Sequence, residues 1–440
     1  MKKISRALAL NNLGRLALGA CAVALVAAPV TTSARSAVAS SQAADVNAFY
    51  RLRGGAPLWL APRSGAAAQE LVQLLATAQA DNLNPRRYNV RALQKALDAA
   101  RSGDPGAVQR AEMALSLAFA AYVHDVKRDP GVGIVYVDRE LKPSAASAQA
   151  VLAEAASAPS LSEYVSNLGW MHPIYSQLRQ AIASRMYRSE AERRLLAINL
   201  ERARALPSGE QRYVLINAPA ARLYMYENGH VVDSMRVVAG RTDPIAQTPM
   251  MNAFIRYIAL NPYWNSPPDI TSRKLAPTIL KEGRAYFTKR GYDLVDHFGP
   301  NAHVLNPMSV DWHAVAAGRV QVNLRQRPGP ANSMGKMKFM FPNAQGIWLH
   351  DTPEKEKIED AARLQSNGCV RLEDAKRLSR WLFNGRPPSP QGARPEQKVN
   401  LPQPVPLYIT YLTAVPSGTS IVYFDDFYGK DRQGLRIASL

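Results

Sequence analysis

The chain of 440 residues is 47% hydrophobic and 20% charged, with 54 Lys and Arg against 35 Asp and Glu for a formal charge of +19. This composition excludes a disordered chain, and the length predicts roughly two to four domains that each bury a core. Two cysteines, Cys21 and Cys369, exclude a disulfide framework and a thiolate zinc site. The charge points to an anionic partner without choosing between nucleic acid, an anionic surface and an acidic polymer.

Lys2, Lys3, Arg6 and Arg15 precede an apolar run from Leu16 to Val30, which is followed by small and polar residues around Ser40 to Ala44. This is the pattern of an export signal over residues 1–43, and its run of about 15 residues falls short of the ~20 that cross a bilayer. Leu18-Gly19-Ala20-Cys21 is similar to a lipoprotein box, but most of the apolar stretch follows Cys21, so membrane attachment there is the lesser reading. The signal holds five positive charges and no negative one, and its removal leaves +14. Cys369 is then a lone thiol in an oxidising compartment, with no intramolecular partner.

From about Asn47 to Pro207 the pattern is helical. Apolar residues recur at three and four positions in Ala67–Gln79, Val90–Ala100 and Ala107–Val126, bounded by Asn-Pro, Gly-Asp-Pro and Asp-Pro-Gly breakers. A long amphipathic stretch from Ile174 to Leu206 carries Arg179, Arg185, Arg188, Arg193, Arg194, Arg202 and Arg204, read as a solvated helix face. After Gly209 the period turns to alternation, and Asn228-Gly229 between two alternating runs predicts a type I′ hairpin. A mostly antiparallel β domain is expected from about residue 211 to 430, leaving 431–440 as a tail. Residues 262–338 interrupt it with Pro-rich aromatic sequence, the mark of a lid or subdomain beside a site.

His350 ends a predicted strand, and nineteen residues on stands Ser366-Asn367-Gly368-Cys369-Val370-Arg371, just ahead of a helix. A Cys/His pair activates sulfur because imidazole takes the thiol proton, and an ion pair between them would make thiolate available near neutral pH. Gly368 admits close approach of a substrate, so the amides of Gly368 and Cys369 are candidate oxyanion donors. Arg371 adds a field favouring thiolate and a group able to hold a carboxylate. The remaining histidines, His124, His172, His230, His297, His303 and His313, have no metal-ligand spacing and read as surface or packed residues.

Leu349-His350-Asp351-Thr352-Pro353 followed by the Ser366–Arg371 motif resembles the L,D-transpeptidase (YkuD) catalytic domain. Thr248-Pro249, NPYWNSPP and RQRPGPANSMGKMKFMFPN in the same order are similar to its large periplasmic YcbB-type branch, and AFYRLRGGAPLW is similar to the start of that branch's scaffold. The resemblance implies an α+β multidomain chain: an N-terminal all-α scaffold domain with its linker helix over 44–207, then a mostly β catalytic domain over 211–430 with a capping subdomain at about 262–338. It implies a periplasmic enzyme that attacks a peptidoglycan stem tetrapeptide after diaminopimelate, releases D-alanine, and passes the thioester to a second diaminopimelate to form a 3→3 cross-link. Cys369 would be the nucleophile and His350 the base and later acid. The Asp351 carbonyl would orient the imidazole, and Ser366, Asn367 and Gly368 would form the oxyanion turn. Tyr263 and Trp264 would be wall residues. Arg325, Arg327, Lys336 and Lys338, which flank the Arg-Pro-Gly-Pro turn, read equally as a solvated basic loop or as contacts to substrate carboxylates.

No metal or organic cofactor is implied. Candidate protein partners are a glycan polymerase and a D,D-carboxypeptidase, and export removes nucleic acid from consideration. Asn367 stands where the family usually has His, and there is no room for the peptidoglycan-binding module that relatives carry between scaffold and catalytic domain. An endopeptidase or carboxypeptidase using the same site, and a weakly active wall-binding assembly factor, remain open alternatives.

Overall fold

The computed structural model describes residues 32–432 apart from 210 and 300. Most of the expected export signal and nearly all of the expected tail therefore lie outside the described residues. The helical half comprises α1 (Thr32–Leu52), α2 (Ala67–Ala76), α3 (Val90–Ala100), α4 (Pro105–Val126), α5 (Ala148–Ser157), α6 (Leu161–Ser166), α7 (Pro173–Ala183) and α8 (Glu190–Ala203). Helix α4 starts where Asp104 accepts a hydrogen bond from the Ala107 N–H and Pro105 occupies the first turn, where its missing N–H costs nothing. Its buried face, Leu115, Phe119, Tyr122, Val123 and Val126, follows the helical period. Around it the rings of Trp59, Phe119 and Trp170 pack edge to face, with centroids 5.2 and 5.0 Å apart.

The Arg-rich stretch differs from the sequence expectation in two ways. It is two helices, α7 and α8, separated by a break in which Arg185 takes a φ of 55°. Three of its arginines are not solvated: Arg179, Arg202 and Arg204 are buried. Arg179 Nε sits 2.9 Å from Asp81 Oδ2, Arg202 Nη1 2.6 Å from Asp431 Oδ1, and Arg204 Nη2 donates to the Asp81 carbonyl at 2.6 Å. Planar guanidinium groups pin loops to the helix pair here. Asp431, placed in the tail by sequence, belongs to the folded body through Arg202.

His172 is one of the packed histidines. Its Nδ1 accepts from the Ile174 N–H at 3.0 Å, so the proton sits on Nε2, which donates to Tyr213 Oη at 2.8 Å. Burial lowers its pKa from 6.5 to about 3. Within that window the unfolded chain binds a proton that the folded chain refuses, so stability falls as pH drops through it, by up to about 1.4 kcal/mol per pH unit from this side chain. His172→Gln is expected to flatten the dependence of the urea midpoint on pH between about pH 4 and 6; an unchanged slope would mean that the imidazole is not kept neutral.

The β-rich body is built on β1 to β5, namely Val135–Tyr136, Tyr213–Asn217, Arg222–Glu227, His230–Gly240 and Met251–Leu260. After the cap follow β10 (Met337–Met340), β11 (Leu349–His350), β12 (Leu364–Ser366), β13 (Val370–Leu372) and β14 (Gln397–Thr410), then the hairpin β15 (Ala414–Ser417) and β16 (Ser420–Tyr423). Short helices α13 (Glu356–Glu359) and α14 (Ala375–Leu382) follow the site strands. The sheet runs β1-β5-β10-β11-β13-β4-β3-β2-β14, and β14 also pairs with β5, so it closes on itself and leaves few edges. It is mostly antiparallel, as expected, with four parallel pairings, β11/β13, β12/β4, β14/β2 and β1/β5, mixed in. The β1 strand comes from the helical half and was not predicted, because two strand residues carry no alternation to read. Between β3 and β4, Asn228 and Gly229 have φ of 51° and 75°, as a type I′ turn requires.

The cap holds β6 (Trp264–Asn265), α9 (Pro268–Ile270), a π-helical turn at Thr271–Leu275, α10 (Ala276–Glu282) and α11 (Arg284–Arg290). It continues with β7 (Tyr292–Val295), β8 (Val304–Leu305), α12 (Trp312–Ala316) and β9 (Asn323–Gln326). A core of its own, with Tyr286, Phe287, Trp312 and Leu324, makes it a subdomain rather than a loop. Met337 and Lys338, assigned to the cap from sequence, pair with β5 in the main sheet.

Candidate active site

Strands β11 and β13 lie parallel, with Leu349 opposite Val370 and His350 opposite Arg371. Alternation sends Leu349, Val370 and Leu372 into the apolar core and His350 and Arg371 to the other face, on the same side as Cys369 two residues earlier. All three line a cavity of about 760 Å³ roofed by Trp264, Tyr286 and Tyr292 of the cap. A strand pair of five residues thus brings together groups nineteen apart in sequence.

His350 is buried, and its Nδ1 lies 2.5 Å from the Asp351 carbonyl. That carbonyl only accepts, so the proton is on Nδ1 and Nε2 keeps a lone pair for a substrate or thiol proton. Burial, and after it the Arg371 guanidinium, push the imidazole down to about 3. The Asp351 carboxylate is turned away, accepting from the Lys336 N–H and Lys355 Nζ at 3.0 Å each.

The Cys369 thiol points at the Gly346 carbonyl, 3.6 Å away. Burial pushes its pKa above the ordinary value, against the pull of the Trp348 backbone, Lys338 and Arg371. With the imidazole held down and the thiol held up, both shifts favour a neutral thiol beside a neutral base over the expected thiolate. Alkylation of Cys369 by iodoacetamide is expected to rise about tenfold per pH unit from neutrality past pH 9. A plateau below pH 7 would demonstrate an ion pair and contradict this arrangement.

The turn ahead of β13 is held by hydroxyls. Ser366 Oγ donates to the Cys369 carbonyl at 2.5 Å and accepts from the Gly368 N–H at 3.1 Å. Thr248 Oγ1 accepts from the Gly240 N–H at 2.8 Å and donates to the Gly368 carbonyl at 2.9 Å. The Gly368 amide is thus committed to Ser366 and is not a free oxyanion donor, which leaves the Cys369 N–H to that task. Gly368 has a φ of 104°, and a Cβ there would stand 3.0 Å from Ile347 Cδ1 and 3.3 Å from the Gln247 carbonyl. Asn367 lines the cavity, its Oδ1 buried with no hydrogen-bond partner among the described residues.

The expected substrate contacts divide. Trp264 lines the cavity and Arg371 lines it in an ion pair with Glu354. Tyr263, one step along the alternation, faces away and is covered by Arg325 at 4.3 Å. Arg325 is buried against Tyr263 and Asp293, and so is a cap residue rather than a cavity cation. Lys338 pairs across the strands with His350 and rides over the Trp348 ring at 5.4 Å, outside the lining. Sequence reasoning missed Lys274, Glu354 and Lys357 on the cavity wall, because isolated charges in a loop and a five-residue turn carry no periodic signal. It noted Thr248 only as part of a motif.

A base and a thiol on the floor of a roofed cavity, within a closed mixed sheet, have the parts of a cysteine acyl-transfer centre. Residues 211–390 match the L,D-transpeptidase catalytic domain family (YkuD), and residues 44–182 match the Scaffold domain family. A Haemophilus influenzae protein named "Putative L,D-transpeptidase" is 28% identical over 281 residues, which cover 62% of this chain and 56% of that protein. The matched stretch thus spans little more than half of that relative's length. The chain thus carries a region matching the YkuD L,D-transpeptidase catalytic domain, preceded by a region matching the Scaffold domain.

Proposed function

We propose that the protein is an exported, periplasmic enzyme of cell-wall remodelling that forms 3→3 diaminopimelate cross-links through a thioester on Cys369. The observation that carries this reading is the common face of His350 and Cys369 in one roofed cavity. The Cys369 proton passes to His350 Nε2 as sulfur bonds to the carbonyl carbon after diaminopimelate. The tetrahedral oxyanion faces the Cys369 N–H. Collapse breaks the C–N bond, His350 returns the proton to the leaving nitrogen, and D-alanine departs. The side-chain amine of a second diaminopimelate then attacks the thioester, gives its proton through His350 and restores the thiol.

Tetrapeptide muropeptides incubated with the protein are expected to yield 3→3 linked dimers by mass spectrometry, and none with Cys369→Ala. Monomeric tripeptide as the sole product would mean that water is the acceptor and would replace the transpeptidase reading by a hydrolase.

A further inference from the structure

The cavity wall beside His350 carries more positive charge than its own carboxylates neutralise. Lys274, Lys289, Arg290, Lys357 and Arg371 line it, against Asp269 and Glu354. Glu354 is shared by Arg371 and by Lys357, the latter at 2.6 Å, and Arg290 is taken by Glu282 at 2.8 Å. Lys274 enters from the cap on the π-helical turn, a geometry that recurs at functional sites. It has no carboxylate partner among the described residues. Partial desolvation of this exposed side chain and its like-charged neighbours Arg241, Lys357 and Arg371 pull its pKa down. Cations from both sides of the seam between cap and wall therefore outnumber the carboxylates that line the same cavity. Their repulsion is what a bound anion would relieve.

The position of the cluster identifies the anion. Arg371 is the cross-strand neighbour of His350. In the proposed reaction His350 returns its proton to the leaving nitrogen, so the leaving residue lies on that side. In a terminal amino acid, the carbon bonded to that nitrogen also bears the carboxylate. We propose, resting on the transpeptidase reading above, that Lys274, Lys357 and Arg371 clamp the C-terminal carboxylate of the leaving D-amino acid. The clamp selects donors that end one residue beyond the scissile carbonyl. A donor longer by one residue carries its carboxylate about 3.8 Å farther along the chain and presents an uncharged amide to the cations. Arg371, with 14% of its side chain exposed, gives the strongest contact because water screens it least.

The test compares a stem tetrapeptide ending in a free carboxylate with the same peptide ending in a carboxamide, following Cys369 acylation by intact mass in the full chain. The wild type is expected to favour the acid roughly 10- to 100-fold in kcat/KM. In Lys274→Gln and Lys357→Gln the ratio should fall toward one, with the loss on the acid donor, while Lys274→Arg retains it. Thermal unfolding of each variant guards against misfolding. A wild type that acylates equally from both donors, or a ratio unmoved in the Gln variants, overturns the clamp and leaves the transpeptidase reading standing. Acylation from neither donor overturns both.

Discussion

His350→Gln is expected to lower the rate of Cys369 acylation by a stem tetrapeptide by about 10²- to 10⁴-fold. The thiol is held protonated by burial, so attack requires a base at the instant of bond formation, and a neutral imidazole with a free Nε2 fills the role. Gln has nearly the shape of the buried imidazole and can still donate to the Asp351 carbonyl, but it cannot take a proton at any useful pH. The pH profile separates loss of a base from loss of shape. In the wild type neither group titrates between about pH 5 and 8, since the imidazole is held near 3 and the thiol above its usual value, so the acylation rate should be flat there. In the variant only pre-formed thiolate reacts, so the rate should climb with pH. A wild-type acid limb near pH 6.5 would show that His350 titrates normally and would contradict the neutral-pair account.

The largest expected change in stability lies far from the cavity. Asp81 is fully buried. It accepts from Tyr122 Oη at 2.8 Å, Tyr175 Oη at 2.7 Å and Arg179 Nε at 2.9 Å, and so joins the end of α2 to α4 and α7. Asp81→Ala would leave the Arg179 guanidinium buried without a counter-charge and two phenols without an acceptor. Removing one partner of such a pair costs about 3–5 kcal/mol, a large part of a domain's ordinary stability. Urea unfolding of the full chain, followed by fluorescence of the Trp59 and Trp170 cluster, should show a transition shifted far toward lower denaturant. Arg179→Met in the Asp81→Ala background should recover part of the loss, because the orphaned charge is gone. No recovery would mean that the phenols, not the ion pair, hold this junction.

Much of the architecture was legible because it rests on periodicity. The helix Val90–Ala100 and the Asn228-Gly229 hairpin follow from local rules that tertiary packing does not override. The face shared by Cys369, His350 and Arg371 follows from alternation once the two strands are known to pair in parallel, which short-range sequence does not state. The arginines of α7 and α8 were misread because their partners, Asp81 and Asp431, are distant in the chain and belong to other elements. The oxyanion turn was misread for a similar reason: the Ser366 hydroxyl lies within reach of Gly368, and that local bond consumes the amide expected to face substrate. Tyr263 and Trp264 are adjacent, and only the register of β6 against β9 decides which faces the cavity. Lys274 and Lys357 have no pattern at all, and their meaning appears only when the cap brings them beside Arg371.

The most direct test of the account is the intact mass of the purified protein after incubation with a carbapenem, whose strained carbonyl offers an acyl group to the thiol. The account predicts that one carbapenem is added, that peptide mapping puts it on Cys369, and that Cys369→Ala stays unmodified. An unchanged mass in the wild type, or an adduct on another residue, would contradict Cys369 as the nucleophile.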